Sequence, residues 1–122
     1  MTILSIHHVS LLVSDTGRAL DFYQGLLGLP RAERPELGFP GAWLEVPGGG
    51  QIHLLELPSS MRGGQLPEHV GRDAHIALQV SDLEEMKERL DEVGISYTSS
   101  RSGRAAIFCR DPDGNGIELV AA

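Results

Sequence analysis

The chain has 122 residues, a formal net charge of −7, 41% apolar side chains and 5% aromatic ones. That is one domain's worth of sequence with enough apolar content for its own core, while the acidic balance and scarce rings argue against a nucleic-acid-binding face or an anionic membrane surface as partner. The single cysteine, Cys109, excludes an intrachain disulfide; no apolar run approaches the roughly 18 residues of a membrane span, and the lack of a basic-then-apolar leader predicts a cytoplasmic protein.

Residues 3–13 (ILSIHHVSLLV) are rich in β-branched and apolar side chains and predict a strand. Ser14, Asp15 and Thr16 offer N-caps for a helix of about three turns. Its apolar residues Ala19, Leu20, Phe22, Tyr23, Leu26 and Leu27 recur at helical spacing, and Gly28 closes it ahead of Pro30. Short strands are expected at 29–35 and 41–46, split by a Gly/Pro-rich turn, and another at 51–57 after the turn at 47–50. Residues 58–71 have no clear period and predict a linker. The order then restarts. A strand is expected at 73–81, followed by a helix with a Ser81/Glu84 capping box, an apolar stripe of Leu83, Met86, Leu90 and Val93, and Gly94 at its end. Strands at 95–100 and 104–109, the Asp111-Pro112-Asp113-Gly114 turn and a last strand at 116–121 complete the chain.

This recurrence is an internal repeat. His8-Val9-Ser10-Leu11-Leu12-Val13-Ser14-Asp15 aligns with His75-Ile76-Ala77-Leu78-Gln79-Val80-Ser81-Asp82 at an offset of 67 (75 − 8). Later, Gln51-Ile52-His53-Leu54 aligns with Gly116-Ile117-Glu118-Leu119 at an offset of 65 (118 − 53), so the second copy is two residues shorter between the anchors. The fold class expected is α+β: two tandem βαβββ modules, 1–57 and 72–122, joined by the linker. Duplicated units tend to pack with approximate two-fold symmetry, which sets equivalent residues facing one another.

Alternation places His8 opposite in sense to the apolar Val9, Leu11 and Val13, and His75 opposite to Ile76, Leu78 and Val80. His53 and Glu118 take the same polar face in the closing strands. Three imidazoles and a carboxylate at one point suit a single divalent Zn, Ni, Fe, Co or Mn ion, whose charge would offset the cost of an otherwise dry, unpaired carboxylate. Four protein ligands on an octahedral ion leave two positions for a substrate chelating through two oxygens, with the ion as Lewis acid. His7 and His69 have no counterpart in the other copy and are expected to be structural or exposed. Glu56 competes with His53 but lies on the opposite face; Glu45 is a weaker competitor. Cys109 is expected to be a small buried residue. Arg31, Arg34, Arg101 and Arg104 are candidate anchors for an anionic small-molecule substrate, with solubilising surface arginines as the alternative.

The His-His-Val-Ser-Leu-Leu-Val-Ser-Asp run from His7 to Asp15, Phe22-Tyr23, Leu27-Gly28-Leu29 and the stretch from Asp111 to Leu119 together resemble the vicinal oxygen chelate superfamily. That group includes glyoxalase I, extradiol dioxygenases, methylmalonyl-CoA epimerase and fosfomycin and bleomycin resistance proteins. The resemblance covers nearly the whole chain, which it implies is one domain of the glyoxalase/bleomycin resistance/dioxygenase type. It further implies curved mixed sheets forming a metal-holding cup, usually in a homodimer, with His8, His53, His75 and Glu118 as ligands and Glu118 as catalytic base. It leaves open whether the site forms within one chain or across a dimer. At the position of His53, glyoxalase I carries a glutamate and the epimerase a glutamine. The implied activity is a glyoxalase I-like isomerase or lyase that transfers a proton next to a carbonyl. The alternatives are an Fe(II) extradiol-type dioxygenase using His8, His75 and Glu118, and a non-catalytic small-molecule-binding protein of the drug-resistance type.

Overall fold

The computed structural model describes residues 2–59 and 65–122. It divides into two compact units, Met1–Arg62 and Gly63–Ala122. Unit one runs β1 (His8–Val13), α1 (Thr16–Leu20) continued by a wider π-helical stretch (Asp21–Leu26), β2 (Arg31–Ala32), β3 (Gly41–Glu45) and β4 (Gln51–Glu56). Unit two runs β5 (His75–Val80), α2 (Leu83–Glu92), β6 (Thr98–Ser99), β7 (Ala106–Arg110) and β8 (Gly116–Ala121), after a 3₁₀ turn at Val70–Arg72. The sheets have the same order, β1-β4-β3-β2 and β5-β8-β7-β6. In each, first and last strands run parallel and the rest antiparallel. The fold is α+β, and the repeat read from the sequence is a repeat of topology. No helix among the described residues is long and apolar enough to cross a membrane.

Each unit closes its own core against its sheet. In unit one Ala19, Phe22 and Tyr23 are buried with Leu44, Ile52 and Leu54; in unit two Met86 and Leu90 are buried with Ile107, Ile117 and Leu119. Gly28 and Gly94 end the helical segments at φ 77° and 72°, conformations that cost glycine least.

Several expectations need correction. The strand at 3–13 begins only at His8, because the ladder with β4 starts at the His8–Gln51 pair; Ile3, Leu4 and Ile6 lie outside it, without a partner strand among the described residues, and are exposed. The strands at 29–35 and 95–100 shrink to the two-residue β2 and β6, which touch the sheet at its edge. The cap of α2 is Asp82, not Ser81: its side chain accepts from the Glu85 amide, as Asp15 accepts from that of Arg18 in α1. Val93 lies at the C-cap and is 60% exposed, outside the buried stripe. Part of the expected linker, 60–64, lies outside the described residues; its end is structured, with Val70 and His69 buried.

Candidate metal centre

In unit one, the β1–β4 register sets His8 opposite Gln51 and Ser10 opposite His53. His8 and His53 therefore share a face, and their imidazoles stack at 4.1 Å. Trp43, opposite His53 on β3, stacks on the same ring at 4.1 Å and 4°. His53 is thus sandwiched and only 8% exposed. A relay fixes its tautomer. The Glu45 carboxylate accepts from Gln51 Nε2 at 2.9 Å, so Gln51 Oε1 faces His53 Nε2 at 2.8 Å and takes its proton-bearing edge. Nδ1 of His53 keeps the lone pair. Burial first, then His8, His7 and Arg34, hold this imidazole below its ordinary pKa, which keeps it neutral and able to ligate. His8 is exposed, with Nδ1 2.9 Å from Nδ1 of His7.

Unit two repeats the arrangement with a carboxylate. His75 stands opposite Gly116 and Ala77 opposite Glu118, the same diagonal as in unit one. Glu118 is 2% exposed, and its Oε1 lies 3.2 Å from His75 Nε2. His75 Nδ1 is 2.8 Å from the Asp73 carbonyl. A carbonyl only accepts, so Nδ1 carries the proton, and a neutral His75 then points a lone pair at a carboxylate oxygen. Two electron-rich atoms at that distance need a cation or a proton between them. The other oxygen, Glu118 Oε2, is buried without a hydrogen-bond partner; the nearest charge is the Arg104 guanidinium at 3.8 Å. Donor chemistry and orphaned acceptor both fit a divalent cation, and a ligating imidazole that donates its other N–H to a backbone carbonyl is the usual orientation at such centres.

The β7–β8 turn presents Glu118. Asp111 Oδ1 accepts from the Asp113 and Asn115 amides, and Oδ2 from Asn115 Nδ2. Arg110 ties this turn to the chain before β5, donating to Asp73 Oδ2 at 2.8 Å, Gly114 O at 2.7 Å and Pro67 O at 2.6 Å. Gly116 makes room for His75: an added Cβ would lie 2.7 Å from the Ala74 carbonyl and 3.0 Å from His75 Cβ. His75 and Glu118 border a concave pocket of about 280 Å³ shared with His69, Arg72, Arg101 and Arg104.

The four expected ligands thus come together as two pairs, one in each unit. Among the described residues no three His, Cys, Asp or Glu side chains surround one point. Glu56 is occupied structurally, accepting from the Thr16 amide at 2.7 Å. Cys109 is buried, its thiol pushed up to about 12 by burial and then by Asp111, as suits an inert core residue. His69 is buried, bonded to Thr98 Oγ1, and depressed by burial, then by Arg101, Arg72 and His75. Sequence reading missed Gln51 as the partner of His53, Trp43 as its stacking platform and Arg72 beside the pocket. Only the period-two spacing of Gln51 and His53 signalled any of these.

Residues 5–119 match the sequence model described as the glyoxalase/bleomycin resistance protein/dioxygenase superfamily. Among curated relatives, Glyoxylase I 4 of Arabidopsis thaliana is 36% identical over 94% of this chain and 69% of its own length. Lactoylglutathione lyase of Haemophilus influenzae is 32% identical over 96% of this chain and 92% of its own. Among solved structures, a superfamily member from Sphaerobacter thermophilus is 30% identical, with a TM-score of 0.72 and all of both chains covered.

Proposed function

The chain belongs to the glyoxalase/bleomycin resistance protein/dioxygenase superfamily, and on that premise we propose that it is a divalent-metal-dependent enzyme that moves a proton next to the carbonyl of a small molecule. The ligands in this reading are His8, His53, His75 and Glu118. The observation that carries it is Glu118, 2% exposed, with one oxygen facing His75 Nε2 and the other accepting no hydrogen bond. A bound divalent ion supplies Lewis acidity, polarising a carbonyl oxygen and making the adjacent carbon more acidic. Glu118 is the single carboxylate of the set and acts as the general base, taking the proton from the hydroxyl-bearing carbon next to the carbonyl and returning it to the carbonyl carbon, while the hydroxyl proton passes to the former carbonyl oxygen. His75 orients it, its own ring fixed by the Asp73 carbonyl. His53, held by Gln51 and Trp43, keeps its lone pair available on Nδ1.

The names of two relatives, Glyoxylase I 4 and Lactoylglutathione lyase, support the lyase reading, and that of a third, Putative ring-cleaving dioxygenase MhqA, supports the dioxygenase alternative. The reading extends to a cytoplasmic homodimer; sedimentation giving a monomer at working concentration removes the dimer from it. The enzyme proposal is tested by elemental analysis of protein purified without chelator, followed by incubation with an α-hydroxycarbonyl compound in D₂O. Bound Ni, Zn or Co with deuterium appearing at the carbon next to the carbonyl is the expected result. Bound iron with oxygen uptake and no deuterium exchange turns the reading to a dioxygenase. A metal-free protein whose His75→Ala variant behaves identically in these assays sinks both.

A further inference from the structure

We propose that the pocket beside Glu118 is an anion subsite, so that the small molecule taken by this protein carries an oxyanion, a carboxylate or a phosphate, near its reacting end. The role of that anion as part of a substrate rests on the enzyme reading above; its binding does not. The chain is acidic, at −7, yet Arg72, Arg101 and Arg104, three of its ten Lys and Arg residues, border one pocket of about 280 Å³. Among the described residues, neither Arg72 nor Arg101 has an ion-pair partner. Arg104 reaches Glu118 only at 3.8 Å, and its Nε donates to Ser102 Oγ at 3.2 Å. Ser102 and Ser100 pair through their hydroxyls at 2.8 Å and also border the pocket, adding neutral donors to the charged ones. Guanidinium forks and hydroxyls together match the planar or tetrahedral oxygens of carboxylate and phosphate. Phe108 supplies an apolar wall, which strengthens charge recognition by limiting water on one side. The volume suits a small anion plus a few carbons, not a polymer.

The test is isothermal titration of the full chain, stripped of metal and freed of chelator, with inorganic phosphate and with glycolate at low ionic strength. Saturable binding of either is expected, weakening with added salt; tighter phosphate assigns a phosphoryl group and tighter glycolate a carboxylate. Arg72→Gln and Arg101→Gln are each expected to weaken binding at least about tenfold, the loss of one charge-assisted contact, while Arg18→Gln, in α1, leaves it unchanged. No binding by the parent chain, or equal weakening by all three substitutions, overturns the proposal, the latter because it reports net charge alone. Far-UV circular dichroism confirms that each variant is folded. Elemental analysis of the same proteins before stripping keeps the two readings apart: anion binding without metal overturns only the enzyme reading, and metal without anion binding overturns only this one.

Discussion

His53 and Glu118 occupy equivalent positions of a repeat and solve the problem of a buried polar side chain in opposite ways. His53 is neutral, flanked by rings and satisfied at one nitrogen by Gln51. Its depressed pKa has a defined consequence. Between the ordinary value of 6.5 and the lower folded value, the unfolded chain binds a proton that the folded chain does not. Stability therefore rises with pH through that window, and the contribution of neutral His53 is lost as pH falls below 6.5. Trp43, the sole tryptophan, stacks on this ring and reports the change: its fluorescence should be quenched on acidification with a midpoint below that of a free imidazole, and His53→Gln should remove the step. A midpoint at or above the ordinary value contradicts the depressed ring. Glu118 is the reverse case, a buried carboxylate with one oxygen, Oε2, left without a hydrogen bond. Glu118→Gln should abolish metal retention yet raise the stability of the metal-free chain by about 1 kcal/mol, since an under-compensated buried charge is removed. Urea denaturation checks this, and a lower midpoint would assign Glu118 a structural role instead.

Strands and helices carry the repeat, and they show where sequence is informative. Alternation and helical spacing depend on nearest neighbours, so all eight strands and both helices are legible, as is the shared polar face of His8 and His53 in one unit and of His75 and Glu118 in the other; the diagonal pairing itself comes from the strand register. Strand length is not legible, because a strand ends where its partner ends: residues 3–7 carry the apolar Ile3, Leu4 and Ile6 but lie outside the β1–β4 ladder. The Gln51–His53–Trp43 arrangement and the arginine-bordered pocket depend on cross-strand register and loop return, which no local period encodes. The helix cap is a finer case. Ser81 and Glu84 fit a capping pattern, yet both copies use the aspartate one residue later, with Asp15 at φ −152° and Asp82 at φ −142°. Asp82→Ala should therefore cost about 1 kcal/mol and Ser81→Ala close to nothing; equal costs would restore the capping box. Gly116→Ala is a sharper probe of β8. The added methyl meets the Ala74 backbone carbonyl, which cannot rotate away as a side chain can. A loss of roughly 1–3 kcal/mol by denaturant titration is expected, with weaker metal binding because the chain at Ala74 and His75 must give way along with Val70.

For the whole molecule, duplication divides the proposed ligands equally between two units that each close a separate core. Each unit offers only two side chains, and two protein ligands hold a divalent ion weakly compared with four. Stoichiometry and mutation together then separate two arrangements. If the pairs act as one set, the chain binds one metal per copy, and His8→Ala and Glu118→Ala, placed in different units, each remove it. If the pairs act alone, two weak metals bind per copy, and each substitution removes one and spares the other. The first outcome is expected. The same coupling should appear in stability, because an ion bound only by the folded chain stabilises it by mass action, about 2.7 kcal/mol at a hundredfold excess over its Kd. Added metal should accordingly raise the thermal midpoint of the parent chain and leave both variants where they stand without it. A variant altered in one unit that still gains the full shift would show that the ligands of the other unit suffice, and would refute a single four-residue site.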